Sequence, residues 1–214
     1  MKKTEAKSVR ERSSGDRQRG FSLIELTVVI GIIVILSAMA IYQMGPALGG
    51  ERADVAMRQV VEQLRSAREL AITNRRWVQV TFPVVVVGGV SENQVQTTIK
   101  NSLTVGAGPD VALLPVGIQR PMTFLVFAAP VLDTPDAFGN ASAIEFGGVA
   151  GGPVGGMFFD GDGEMVNGAT LQPMSGSVFI GVAGHPESAR AITVLGTTGR
   201  IRGWTWNGTT WFQF

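Results

Sequence analysis

Glu25 is the only charge in a long apolar run, Phe21–Gly50, and stands near its head: RGFSLIELTVVIGIIVILSAMAIY, Arg19–Tyr42. A carboxylate in a membrane-length segment costs on the order of a few kcal/mol and implies a cationic partner. No cation follows it in the chain before Arg52. A second group is Gly199-Arg200-Ile201-Arg202-Gly203-Trp204-Thr205-Trp206. Strand alternation puts Arg200, Arg202, Trp204 and Trp206 on one face. There two guanidiniums could bridge successive phosphates and the indoles could stack on bases. A solvent-facing strand or a protein contact accounts for the same residues. Asp160, Asp162 and Glu164 have the alternate spacing of a calcium loop. Met165 stands where that loop needs glycine and Leu171 where it needs glutamate, so a plain Asp-Gly turn is expected and no metal site. His185, the only histidine, lies in the turn-like Gly184-His185-Pro186 with no G-x-S-x-G serine to serve, and reads as a solvated loop residue. The glycine pairs Gly147-Gly148 and Gly151-Gly152 lack a strand-to-helix setting and read as loops. No cofactor is expected, and no enzyme.

The elements that hold these residues follow from composition and period. The chain has 214 residues, 28 glycines and no cysteine, which excludes disulfides and thiolate chemistry and favours a strand-and-turn-rich body. Seven Lys and Arg against three acidic residues give residues 1–20 a net +4, so the overall +1 leaves −3 for the remainder. The body is therefore no obvious polyanion binder. Leu26 to Tyr42 is almost wholly apolar, and with its flanks it reaches the length of a membrane helix. A basic leader before it keeps the N-terminus cytoplasmic and sends the body outward. A secretory signal peptide, cut after Ser37-Ala38-Met39-Ala40, is the other reading.

Gly45-Pro46 marks a break or kink. Beyond it, Glu51 to Arg76 reads as an amphipathic helix. Met57, Val60, Val61, Leu64, Ala67, Arg68 and Ala71 form its inner stripe; Arg58, Glu62, Arg65 and Glu69 form its wet side, paired as Arg58–Glu62 and Arg65–Glu69. From Trp77 the period falls to two. Strands are expected at 77–82, 84–87, 94–99, 123–127, 143–146, 156–159, 177–182, 191–195 and 201–206. The last leads through Asn207-Gly208 into a return strand at 209–214. Residues 105–121 and 147–156 read as loops. The predicted fold class is α+β, a long N-terminal helix packed on a mainly antiparallel β-domain.

Gly20-Phe21-Ser22-Leu23-Ile24-Glu25, with a basic leader before and an apolar helix after, resembles the prepilin signal of type IV pilins and type II secretion pseudopilins. The resemblance implies that a prepilin peptidase cuts between Gly20 and Phe21 and N-methylates Phe21. It makes Glu25 the assembly glutamate that neutralises the new amine of a neighbouring subunit. Leu64–Asn74 followed by Val78, Phe158–Gly163 and Thr198–Arg202 are similar to stretches of the GspH/FimT group of minor pseudopilins and pilins. The long leader, the tract 83–121 and the aromatic hairpin after Arg202 depart from the group's pattern.

The implied organisation is a cleaved leader at 1–20, a transmembrane and polymerisation helix at 21–45, an amphipathic helix at 46–76 and a periplasmic β-rich domain at 77–214. The implied function is a minor pseudopilin of type II secretion. It would be a single-pass inner-membrane protein whose partners are the prepilin peptidase and other pseudopilins or pilins of a filament. The alternative is a minor pilin of the FimT kind, binding DNA for uptake through Arg200, Arg202, Trp204 and Trp206.

Overall fold

The computed structural model describes residues 22–101, 109–128 and 131–214, without side-chain detail at 41–48 and 87. The chain divides into two units, Met1–Met44 and Gly45–Phe214. Helix α1 (Leu23–Asn74) contributes residues to both, and helical structure is assigned through Gly45 and Pro46, so the proline does not end the element.

In the first unit, the helical residues from Leu23 to Ala40 are exposed on every side and form an 18-residue stretch apolar enough to cross a membrane. At ~1.5 Å per residue that is about 27 Å, close to the hydrocarbon thickness of a bilayer. Within it, Thr27 satisfies its hydroxyl by donating to the Leu23 carbonyl (2.8 Å).

In the second unit the helix becomes one-sided. Ala53, Ala56, Met57, Val60, Val61, Leu64, Ala67 and Ala71 recur every three or four residues and are buried. The expected inner stripe is therefore the observed one, with Arg68 half-buried along it. On the wet side the pairing differs from expectation. Glu62 takes Arg65 one turn on (3.0 Å), and Arg58 lies over the Phe214 ring, 4.7 Å from its centroid. An i,i+3 pair suits two exposed side chains as well as i,i+4 does, and Phe214 offers Arg58 a cation–π contact that the sequence does not reveal.

Fourteen strands follow among the described residues: β1 (Val78–Thr81), β2 (Val84–Val87), β3 (Val90–Ile99), β4 (Val111–Ala112), β5 (Val116–Gly117), β6 (Thr123–Phe124), β7 (Ile144–Phe146), β8 (Val149–Ala150), β9 (Met157–Phe159), β10 (Met165–Asn167), β11 (Gly176–Val182), β12 (His185–Leu195), β13 (Arg200–Trp206) and β14 (Trp211–Gln213). They form two sheets in which every pairing is antiparallel. The first runs β10-β9-β1-β3-β2 with β4 and β5 also on β3; the second runs β14-β13-β12-β11-β7-β8 with β6 also on β11. Val78, Val80, Val95, Phe159 and Met165 of the first sheet and Phe146, Val178, Ile180, Ile192 and Val194 of the second meet the helix stripe in one core. Both sheets thus share a single helix as their inner cover.

Four short strands lie where no strand was expected: β4 and β5 in the 105–121 tract, β8 in 147–156, and β10 after the Asp-Gly turn. Two- and three-residue strands carry too little alternation to register as a period. The C-terminal hairpin also differs. Trp206 pairs with Trp211 across the four residues 207–210, and Asn207 Oδ1 accepts from the Thr209 (2.9 Å) and Thr210 (2.8 Å) N–H groups. The asparagine side chain therefore organises a longer loop than the two-residue turn expected of Asn-Gly.

Leu64 is fully buried in the shared core. Leu64→Ala is expected to lower the unfolding free energy by about 3 kcal/mol, through lost burial and a residual cavity, read from the urea midpoint of the detergent-solubilised chain. The exposed Glu62→Ala change should cost less than about 0.5 kcal/mol.

Candidate functional site

Glu25 lies in the first turn of α1, where the unsatisfied N–H groups and the helix dipole favour a negative charge. Its side chain is exposed and has no ion-pair partner among the described residues. The expected cleavage residues, Gly20 and Phe21, lie outside the described residues.

Within the second unit, three separate motifs converge on one side chain. Arg68 Nε donates to the Gly163 carbonyl (3.0 Å) and Arg68 Nη2 to the Thr198 carbonyl (3.1 Å). Arg68 comes from the helix stretch 64–74, Gly163 from the Asp-Gly turn and Thr198 from the turn entering β13. Gly199, at φ +58°, would place a Cβ 1.9 Å from the Gly163 oxygen. Only a glycine permits that approach of two backbones. The three stretches that resemble the GspH/FimT group are thus joined in a structural clamp: they pin the C-terminal part of the helix to both sheets.

A second clamp escaped the sequence reading. Arg190 is 4% exposed. Its Nε donates to Asp54 Oδ1 (2.5 Å), Nη1 to the Glu187 (3.2 Å) and Ala189 (2.9 Å) carbonyls, and Nη2 to the Gly50 carbonyl (3.3 Å). A guanidinium so buried is tolerable because its donors are occupied and its charge is met. The only signal was an arginine inside an apolar strand, SARAITVL.

Arg202, Trp204 and Trp206 share the outer side of β13, as the alternation predicts, but that face is not open. Trp204 and Trp206 are 6% and 3% exposed and pack with Val131, Phe179, Ala189, Ala191 and Trp211 in a second core on the outer side of the sheet. Val126, Phe127 and Val131 contribute to that cover, with Leu132 and Asp136 beside them. Arg202 Nη1 bonds Asp136 Oδ1 (2.8 Å), Thr193 donates to Asp136 Oδ2 (2.5 Å), and Trp204 Nε1 donates to Thr193 Oγ1 (2.9 Å). Trp211 Nε1 donates to the Leu132 carbonyl (2.8 Å). The expectation that Trp204 and Trp206 could stack on bases is corrected: their faces are spent on protein, and Arg202 is neutralised. Arg200 alone remains exposed, beside a groove of about 430 Å³ lined also by Arg65, Arg68, Glu69, Ile72 and Ile201. One free guanidinium supplies little of the phosphate neutralisation that nucleic-acid affinity needs.

The Asp160 carboxylate is used locally. Its Oδ1 accepts from the Asp162 (3.1 Å) and Glu164 (2.8 Å) N–H groups, closing the turn between β9 and β10. Among the described residues no three His, Cys, Asp or Glu side chains gather in a metal-holding group. His185 is exposed as expected, but it opens strand β12 and does not sit in a loop; Gly184, at φ +80°, makes the turn before it. Its Nδ1 lies 2.8 Å from Glu187 Oε1. Glu187's own backbone N–H, then the imidazole, hold that carboxyl below its ordinary range.

Residues 15–41 match the family described as the prokaryotic N-terminal methylation motif. Residues 15–41 thus carry an N-terminal methylation motif, and the apolar helix there is followed by a mainly antiparallel β-domain. Among solved structures, the chain is similar to the minor pseudopilin EpsH from the type 2 secretion system of Vibrio cholerae. The two are 14% identical, the alignment covers 72% of this chain and 97% of that one, and the TM-score is 0.42. No curated protein matches the chain.

Removing the Arg68 clamp leaves two carbonyls to find other donors. Arg68→Met is expected to cost about 2 kcal/mol by loss of charged hydrogen bonds. Gly199→Ala should cost at least as much, since both φ and the Gly163 carbonyl forbid a Cβ. Thermal unfolding of the two variants beside Arg200→Met, which should be near neutral, checks the assignment.

Proposed function

We propose that the chain is a minor pseudopilin of a type II secretion system, made as a prepilin and assembled into a periplasmic filament. The reading rests on one observation: Glu25, five residues after Gly20, stands in the first turn of an exposed apolar helix with no ion-pair partner among the described residues. The basic leader holds the N-terminus in the cytoplasm, the apolar helix anchors the chain in the inner membrane as a single span, and the β-domain lies in the periplasm.

A prepilin peptidase cuts between Gly20 and Phe21 and methylates Phe21. Cleavage creates a cationic amine at the membrane edge, and Glu25 of an adjacent subunit takes it as partner. Two charges that are each costly in hydrocarbon become one pair as subunits stack. The chain's part is assembly: it is a substrate of the peptidase and a contact surface for other pseudopilins.

Uptake of DNA by a FimT-like minor pilin is the weaker reading, because the buried indoles and the Arg202–Asp136 pair withdraw the groups it needs. In gel-shift titrations the chain is expected not to retard DNA at physiological salt, and Arg200→Ala/Arg202→Ala should change nothing.

Mass spectrometry of the mature chain from membranes should find methylated Phe21 at the N-terminus; a start after Ala40 would defeat the proposal. Glu25→Val should leave processing intact and reduce recovery in filaments by about tenfold or more, the scale of losing one partner from a buried ion pair.

A further inference from the structure

The tract 83–121 begins with an arm that nothing among the described residues covers. Among those residues, 84–87 have only β3 as ladder partner, and β2 ends the first sheet. Gly88 and Gly89, at φ +61° and +82°, join the two strands in the mirror-image turn that suits a hairpin. Val84 and Val86 are 61% and 70% exposed, and Val90 is 46% exposed.

The backbone of β2 is open at Val84 and Val86 as well. The Gln94 N–H bonds the Pro83 carbonyl (2.9 Å), which sets the phase of the ladder. Bonded pairs alternate in an antiparallel ladder, so Pro83–Gln94, Val85–Glu92 and Val87–Val90 face each other through hydrogen bonds. Val84 and Val86 therefore aim their N–H and C=O groups at the free edge. Edge strands are ordinarily kept short or guarded by a proline, a charge, a bulge or a cover. β2 is short and follows Pro83, but among the described residues it has no charge, bulge or cover, being four consecutive valines.

We propose that β2 is a self-pairing edge, docking antiparallel on β2 of a second copy of this chain. The outward backbone groups call for an extended strand, and an uncharged edge gives a charged segment nothing to meet. A run of identical residues is also complementary to itself. Around a two-fold axis at Val85, Val84 of each copy exchanges two hydrogen bonds with Val86 of the other, giving four. Val85 then faces Val85 as a non-bonded pair, with Cα atoms about 4.5 Å apart. The contact is isologous and closes at two copies.

That spacing lies within disulfide range, and the chain has no cysteine of its own. The test is oxidative cross-linking of full-length Val85→Cys in detergent. Val154→Cys, at a fully exposed loop position, reports collisions and any association through the apolar helices. Val85→Cys is expected to form the disulfide dimer at least about tenfold faster than Val154→Cys, as an enforced effective concentration requires. Adding Val86→Pro should abolish the excess, because it removes an outward N–H and no bond to β3. If the proline variant loses its folded circular dichroism spectrum, Val86→Lys takes its place. Equal rates for the two cysteine variants would overturn the proposal, as would a dimer that survives Val86→Pro or Val86→Lys in folded protein. Cross-linking of Val85→Cys in native membranes to a different protein, and not to itself, would also overturn it.

Discussion

The domain depends on covering one stripe of one helix. Between Ala53 and Ala71 the helix shows apolar side chains every three or four residues, and they must be kept from water. Two sheets meet over the stripe, and the core they share with it contains residues from both. Apolar burial gives this packing its strength but little direction. Direction comes from the ends. Arg190 holds the Gly50 carbonyl and Asp54 at the start of the stripe; Arg68 holds the Gly163 and Thr198 carbonyls at its far end. Each clamp uses a guanidinium because only that group can span several acceptors in a fixed fork.

The second sheet has a further requirement. Its inner face is taken by the helix, yet its outer face carries Phe179, Trp204, Trp206 and Trp211, too much aromatic surface to leave in water. Val126, Phe127 and Val131 supply a cover, and Leu132 and Asp136 beside them tie it down with polar bonds. Asp136 is the fastening point, accepting from both Arg202 and Thr193, while the Leu132 carbonyl accepts from Trp211. Arg202 thus serves the fold on the very face where an arginine next to tryptophan suggests a ligand. A basic-aromatic stripe on a strand specifies a face; it does not say whether chain or solvent lies over that face.

This marks where sequence reasoning succeeded and where it stopped. The helix stripe was legible because burial on one side imposes a period that no other element shares, and the long strands were legible for the same reason at period two. The prepilin-like signal was legible because it is contiguous. What was not legible lies far apart in the chain: Asp136 with Arg202, Asp54 with Arg190, Gly163 with Arg68 and Gly199. Such pairs leave no local pattern. Arg68 and Gly199 were both noted, one for its spacing and one for its motif, but nothing local joined them. The short strands β4, β5 and β8 were missed for a different reason, since two residues pair only because a neighbour is already in place.

The helix changes character along its length. From Leu23 to Ala40 it is apolar on every side apart from Glu25, and no side chain among the described residues covers it; from Ala53 to Ala71 it is apolar on one side and that side is filled. A helix bare of cover on every side is stable only where the solvent is itself apolar, and there each charge needs an opposite charge beside it. Residues after Glu25 in the apolar stretch cannot provide one, and under the proposed reading the leader's cations are removed on maturation. What remains is the amine that removal creates. Neutralisation within one subunit would leave no reason to associate, whereas exchange between subunits makes burial of the charge conditional on assembly. Under the proposed reading, the position of a single carboxylate decides whether this segment is merely an anchor or also the contact that builds a polymer.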